Sequence, residues 1–407
     1  METTAEIRST PIKNRPLILV PAVLAVIGLV SFLLGALGQN PERAWQAYFI
    51  NFLLWSSMAQ GGLLFSAVMH ISKARWGYPL TVLSDSFAAF FPISFILFLA
   101  LFLGGEHVFP WLHHDLQGKE GWLNLPYLFT RDFIGLLILY GLGFAYLYHA
   151  LGMRAQEIQP RGRIASLLLE RWSRRRRDEA ACRGRMSLFS VLYILAYALV
   201  LSLIGIDLVM SMEPHWVSSL FAPYHFIKAF YVGLGALVIV ASIWHLSRGE
   251  DSGISTVQFH DLGKLFFAFC LLWGDFFYCQ LVVIWYGNIS EETSYIIQRV
   301  FALPWKHLSW AVLGLGFILP FVVLLNRKIK MKPAAMIPVC IAVLLGIWLE
   351  HLLLVGPLLN PGAASLPLGL MDGLITLGFL GLMALALTGF LTRFPPGDRS
   401  DEAGGHR

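Results

Sequence analysis

The sequence predicts an all-α polytopic membrane protein with ten transmembrane helices, and three observations predict it. Hydrophobic residues fill 57% of the 407 positions and charged residues only 14%, well short of the roughly 25% that covers a water-facing surface. Ten separate stretches carry the roughly 20 apolar residues that a bilayer crossing needs. Lys and Arg concentrate in alternate connections between those stretches. A soluble enzyme, a disordered chain and a disulfide scaffold are thereby excluded.

The predicted spans are 16–38, 45–71, 83–104, 131–153, 186–210, 222–246, 259–287, 304–326, 333–356 and 369–393. Pro16, Pro304 and Pro333 stand near starts, and Trp45, Trp76, Trp111, Trp122, Trp216 and Trp305 lie where interfacial aromatics belong. The first span follows a charged stretch as a signal peptide does. Its 23 residues exceed the 7–15 of a cleaved apolar region, so it reads as a retained helix.

Orientation follows from the basic residues. The N-terminus, the C-terminus and the loops after spans 2, 4, 6 and 8 hold 23 of the 30 Lys and Arg, whereas the opposite side holds Arg43, Lys119 and Arg299. The positive-inside rule then places both termini in the cytoplasm. That placement also accounts for the net charge of +5 without nucleic acid as a partner. The connection 154–185 holds ten arginines, and Ile164, Leu167, Leu168 and Trp172 recur in it at helical spacing. This pattern predicts a short amphipathic helix on the membrane surface, in contact with anionic lipid or a cytoplasmic partner. The tail 394–407 is polar and rich in Gly and Pro, which predicts disorder. Residues 1–393 form one integral membrane domain.

Ionisable residues inside spans carry the functional question, because each costs about 2.5–3.5 kcal/mol at a helix centre on insertion scales. The candidates for a proton path are Asp85, Asp132, His149, Asp207, Lys228, Asp275 and Glu350. Asp85 opens span 3 near the cytoplasm, Asp132 and Asp207 lie toward the outside, and Asp275 sits near the midplane of span 7. The competing reading is structural ion pairing, for instance Asp207 with Lys228, or Asp275 with Lys228. Haem is disfavoured: His70, His149 and His245 share one end of their helices, where a histidine is also an ordinary interfacial residue. Cys182, Cys270, Cys279 and Cys340 are too scattered for a metal site or a disulfide framework, so no metal ligands are assigned. Gly61-Gly62, Gly233–Gly235 and Gly314–Gly316 read as close helix contacts rather than phosphate loops, which excludes an ATP-driven pump.

Two segments on the outer side are distinctive. Met-Glu-Pro-His-Trp at 212–216 is followed by Ser218, Ser219, Leu220, Phe221 and Tyr224. Pro214 ends span 5 there, and Ser218 or Ser219 offers the next helix a cap. The other runs from His-Asp-Leu-Gly-Lys at 260–264 through Trp273 and Gln280 to Ile-Trp-Tyr-Gly-Asn at 284–288 and Glu-Glu-Thr at 291–293. Glu291 and Glu292 make a small acidic patch suited to a basic extramembrane partner.

These motifs resemble the ActF-type membrane subunit of alternative complex III, within the NrfD (polysulfide reductase membrane subunit) superfamily. The similarity is strongest over about 190–300, and the ten-span count agrees with it. The resemblance implies two four-helix bundles, spans 2–5 (about 45–210) and 6–9 (about 222–356), flanked by spans 1 and 10. It implies a subunit of a quinol:cytochrome c oxidoreductase, with a multihaem cytochrome, an iron–sulfur subunit and a sister NrfD-like subunit as partners. The sister is the one credited with oxidising quinol. Haem and iron–sulfur clusters would sit in the partner subunits, while this chain would be cofactor-free and would scaffold the complex or help move protons. Two positions depart from the pattern: Asp275 stands where an aromatic is expected, and Glu213 replaces an aspartate.

The alternative is that the chain itself binds quinone. Glu213, His215 and His225 would then supply polar contacts at the outer end. A secondary transporter fits less well, because the prolines cluster near helix ends instead of breaking helices at the midplane.

Overall fold

In the computed structural model, helix starts fall where the sequence supplies punctuation. The structure describes residues 15–113, 116, 118–154, 166–168, 170–172 and 179–396. Among these residues there are helices and connections but no strands. Ten helices are long and apolar enough to cross a membrane. They are span 1 (Ile18–Ala36), span 2 (Pro41–Ile71), span 3 (Arg75–Leu103), span 4 (Leu125–Met153), span 5 (Ala180–Met212), span 6 (Phe221–Ser252), span 7 (Thr256–Gly287), span 8 (Trp305–Leu324), span 9 (Pro333–Leu359) and span 10 (Leu370–Arg393). The all-α, ten-span class is therefore as the sequence predicts.

Local chemistry explains several ends. Asn124 caps span 4 by accepting from the Tyr127 N–H, with Pro126 in the first turn. Ser255 and Gln258 form a reciprocal capping box at the start of span 7, and Asn288 ends that span in a left-handed conformation. Neither Ser218 nor Ser219 caps span 6. Leu220 occupies that position without a side-chain cap, so the aromatic packing around Trp216 and Phe221 fixes the entry instead.

Span 3 differs most from expectation. It begins at Arg75 and is segmented, with helical turns at Tyr78–Asp85 and Phe91–Leu103 joined by a tighter 3-10 stretch at Ser86–Phe90. Asp85 therefore stands ten residues inside the span rather than at its opening. Hydropathy missed those first turns because their Thr, Ser and Asp side chains are buried against protein, not lipid.

Span 2 is the hub. Fully 94% of its apolar window is buried, and it packs against spans 1, 3, 5, 6, 9 and 10. Span 6 is the second central helix and contacts spans 2, 5, 7 and 9. The two meet at glycines: a Cβ on Gly61 would strike the Ala229 carbonyl, and one on Gly233 would strike the Gly61 backbone. Gly316 likewise admits the Trp273 ring. Most of these Gly pairs are thus close helix contacts, although Gly314 faces open space. Spans 1 and 10 pair through Gly28 and Gly378. Trp111, Trp216 and Trp305 lie near helix ends as expected, yet they turn inward and are buried.

In the arginine-rich connection, 166–168 and 170–172 are helical. Trp172 packs on Gly152 and Tyr148 while Leu167 faces outward. Ile164 and most of the arginines lie outside the described residues, as do residues 397–407 of the tail.

Candidate functional site

Burying polar groups between helices requires that they satisfy one another, and three clusters here do so to different degrees. The first lies toward the arginine-rich end of spans 2–5. Arg154, just past span 4, donates to the Asp85 carboxylate at 2.6 Å, with both side chains almost fully buried. Beside them Ser84 donates to the Gly62 carbonyl at 2.5 Å and accepts from the Ser66 N–H at 3.0 Å. The Ser66 hydroxyl in turn lies 2.8 Å from the Tyr146 hydroxyl.

Deeper in the bundle the polar groups continue. The Tyr193 hydroxyl faces the Gln60 side-chain oxygen at 2.9 Å. Ser94 bridges Ser56 and Tyr140, 2.9 Å from each. Tyr197, one turn from Tyr193, donates to the Phe226 carbonyl on span 6 at 2.8 Å. From Ser66 to Ser56 the hydroxyls climb about 15 Å along span 2. All of these side chains are buried.

The second cluster lies at the far end of the same helices. Arg131 holds Asp207 through two nitrogens, Nε to Oδ2 and Nη2 to Oδ1, the latter at 2.6 Å. Trp122 donates to Asp207 at 3.0 Å and stacks under the Arg131 guanidinium. A five-residue π-helical turn, Gly205–Val209, brings Asp207 to this position. The expected Asp207–Lys228 pair does not form, because Arg131 is closer and fits the carboxylate bidentately. Asp132 is fully buried against the Asp207 carboxyl group, and no N–H donor among the described residues reaches either of its oxygens. About 12 Å of helix rise separates Asp132 from Tyr140, and Leu136 and Leu139 are buried in that interval.

The third cluster centres on Glu350 of span 9. Its Oε1 accepts from Lys228 Nζ at 2.9 Å and from the Tyr224 hydroxyl, while Oε2 accepts from Trp273 Nε1 at 3.2 Å. His225 and His351 flank Lys228, both fully buried. Neither ring nitrogen of His225 is partnered, nor is Nε2 of His351, among the described residues. Toward the far-end surface, Tyr295 stacks on Trp216 with centroids 3.9 Å apart, and Arg299 lies over Tyr295.

The sequence candidates therefore separate. Asp85, Asp132, Asp207, Lys228 and Glu350 are buried and face other spans. His149 is half-buried and stacks on Phe189. Asp275 requires a correction: it is exposed on the outer side of span 7, where Cys279 Sγ lies 3.8 Å away. Lys228 pairs with Glu350 instead, and Lys264 pairs with Asp261. The reason is helical periodicity. Trp273 takes the inward position, and a residue two places on points about 200° away. Of the quinone candidates, His225 is buried, His215 is exposed, and Glu213 is half-buried within electrostatic range of Arg299.

Sequence reasoning named Tyr224 and Trp273 only as motif positions and missed Arg154, Tyr140, Tyr146 and Tyr193. Arg154 was hidden among orientation charges, and the tyrosines scored as interfacial or apolar. Their signal was the presence of Ser56, Gln60 and Ser66 on one span that is otherwise apolar.

The family described as Polysulphide reductase, NrfD matches residues 123–360, more than half of the chain. The chain belongs to the NrfD family. The match runs from just before span 4 to just after span 9 and so includes the Arg131–Asp207 and Lys228–Glu350 pairs. A search of curated proteins finds no match. NrfD membership, with the ten apolar helices, makes this a multi-pass membrane protein and points to a membrane subunit of a quinone-linked oxidoreductase complex.

Proposed function

We propose that this NrfD chain is the ActF-type subunit of alternative complex III, a cofactor-free membrane subunit that supports quinol:cytochrome c oxidoreduction and moves protons. It would reside in a bacterial inner membrane with both termini cytoplasmic. Its partners would be a multihaem cytochrome, an iron–sulfur subunit and a sister NrfD-like subunit that oxidises quinol. The motifs at 212–216 and 260–293 support that assignment, as does the match over residues 123–360. Spans 2–5 and 6–9 form two four-helix bundles in this reading, with spans 2 and 6 in contact between them.

One observation carries the proton reading: buried hydrogen-bonded pairs lie in steps inward from the Asp85–Arg154 pair, Ser66 with Tyr146, then Gln60 with Tyr193, then Ser94 with Tyr140. A hydroxyl both donates and accepts, so a proton accepted on one side can leave on the other after rotation. Tyr197 then reaches the span 6 backbone at Phe226, two residues before Lys228, and the Lys228–Glu350 pair supplies an exchangeable proton toward the far end. Intramembrane ionisable groups are functional by default because of their insertion cost. Asp275 has no place in this route.

A second reading has the chain contact quinol through Glu213, His215 and His225. The two unpartnered nitrogens of buried His225 favour it. Affinity purification of the tagged chain from its native membrane distinguishes the readings. Recovery with haem-bearing subunits and quinol:cytochrome c activity supports the complex. A quinol photoaffinity label on this chain at the His225 region supports the second reading, and a label confined to the sister subunit removes it.

A further inference from the structure

Asp275 lies far from either end of its helix. Ten residues, or about 15 Å, separate it from the exposed aromatic Trp285, and 19 residues, about 29 Å, from the start of span 7 at Thr256. It therefore sits near mid-membrane, too deep for so short a side chain to reach water by extending. It is also on the outside of the chain. The same face presents Leu271, Leu272, Tyr278 and Tyr286, all exposed.

Among the described residues no basic side chain pairs with Asp275. The Cys279 thiol, 3.8 Å away, is a weak donor that leaves most of the carboxylate's accepting capacity unused. A carboxylate facing acyl chains is unfavourable, whereas one facing a buried cation is compensated. Two copies meeting symmetrically through this face would bring Asp275 against Asp275, so a second copy does not supply the cation in that arrangement. Lys264, at the arginine-rich end of the span, is already paired with Asp261.

We propose that this face of span 7 docks a membrane-spanning helix of another subunit, with a lysine or arginine of that helix set against Asp275. The proposal rests on reading the chain as part of a complex and adds the surface and the chemistry of one contact. Leu271, Leu272 and Tyr278 supply the apolar packing around the pair. The planar guanidinium of an arginine would engage the carboxylate through two donors, and a lysine through one.

The test uses the intact complex in native membranes, with a benzophenone photo-crosslinking residue in place of Tyr278 and, as a control at similar depth, in place of the exposed Leu137 on span 4. Docking predicts a Tyr278 adduct with one co-purifying subunit, mapped to a spanning helix that carries Lys or Arg. Asp275→Asn should cut that adduct at least fivefold, and Asp275→Lys should abolish it. Charge reversal of the mapped partner residue should then restore crosslinking to Asp275→Lys. Adducts with lipid alone, or with a second copy of this chain, overturn the docking face while leaving complex membership intact. A chain that purifies with no other subunit overturns both.

Discussion

Lys228 Nζ lies 2.9 Å from the Glu350 carboxylate, and each side chain is only 1% exposed. The pair joins spans 6 and 9, and Tyr224 and Trp273 also donate to the carboxylate. Removing one partner leaves the other charge buried and uncompensated, which costs about 3–5 kcal/mol. Lys228→Met is therefore expected to lower stability by about that amount. Lys228→Met with Glu350→Gln should recover most of the loss. Unfolding of the purified protein in detergent, single against double variant, measures it.

Arg131 binds Asp207 through two nitrogens while its guanidinium rests on Trp122. Lysine keeps the charge but loses both the fork and the stack. Arg131→Gln is expected to destabilise by roughly 3 kcal/mol and Arg131→Lys by roughly half that. Equal losses in the two variants would show that charge alone matters at this position.

Spans 2 and 6 approach at Gly61 and Gly233 so closely that no side chain fits between the backbones. Gly61→Val is expected to cost about 3 kcal/mol, at the upper end for overpacking, because a backbone cannot move aside as a side chain can. Gly141→Val, at a position with open space around it, is the matched control. Fluorescence-detected size exclusion after graded heating should show early loss of the folded peak for Gly61→Val only.

Burial raises the Tyr295 pKa above its ordinary value, against the partial opposition of Arg299. A raised phenol favours the neutral form in the folded state. Its contribution to stability is then complete below a pH of about 10 and declines as pH rises through the folded value. Tyr295→Phe is expected to flatten the alkaline fall in melting temperature and leave the melt at neutral pH nearly unchanged. A parallel alkaline fall in both proteins would contradict this.

Much of the fold was legible because insertion into lipid leaves a strong signal. Stretches such as 16–38 and 333–356 announce themselves by apolar length, and proline at their starts sharpens the edges. The start of span 3 was not legible. Thr81, Ser84 and Asp85 are buried against other helices, and hydropathy cannot tell a polar residue facing protein from one facing water. The same limit applies to the site. Composition and depth exposed Asp132, Asp207, Lys228 and Glu350 as ionisable groups within spans, but not their pairings. Depth alone matched Lys228 with Asp207 or Asp275, whereas rotation about the helix axis decides the matter: Glu350 points inward and Asp275 does not. Arg154 was hidden for the opposite reason, since nine other arginines in its loop gave it an ordinary explanation.

The central claim is that buried hydroxyls and carboxylates between the spans carry protons while the complex oxidises quinol. The most direct measurement is the number of protons translocated per electron by the reconstituted complex carrying Tyr146→Phe or Glu350→Gln. Tyr146→Phe removes one oxygen from the series and leaves the ring in place. Quinol oxidation is expected to stay within about twofold of the unaltered complex in an uncoupled assay, with protons per electron reduced to the scalar release alone. An unchanged proton count in both variants would contradict it and leave the chain a scaffold.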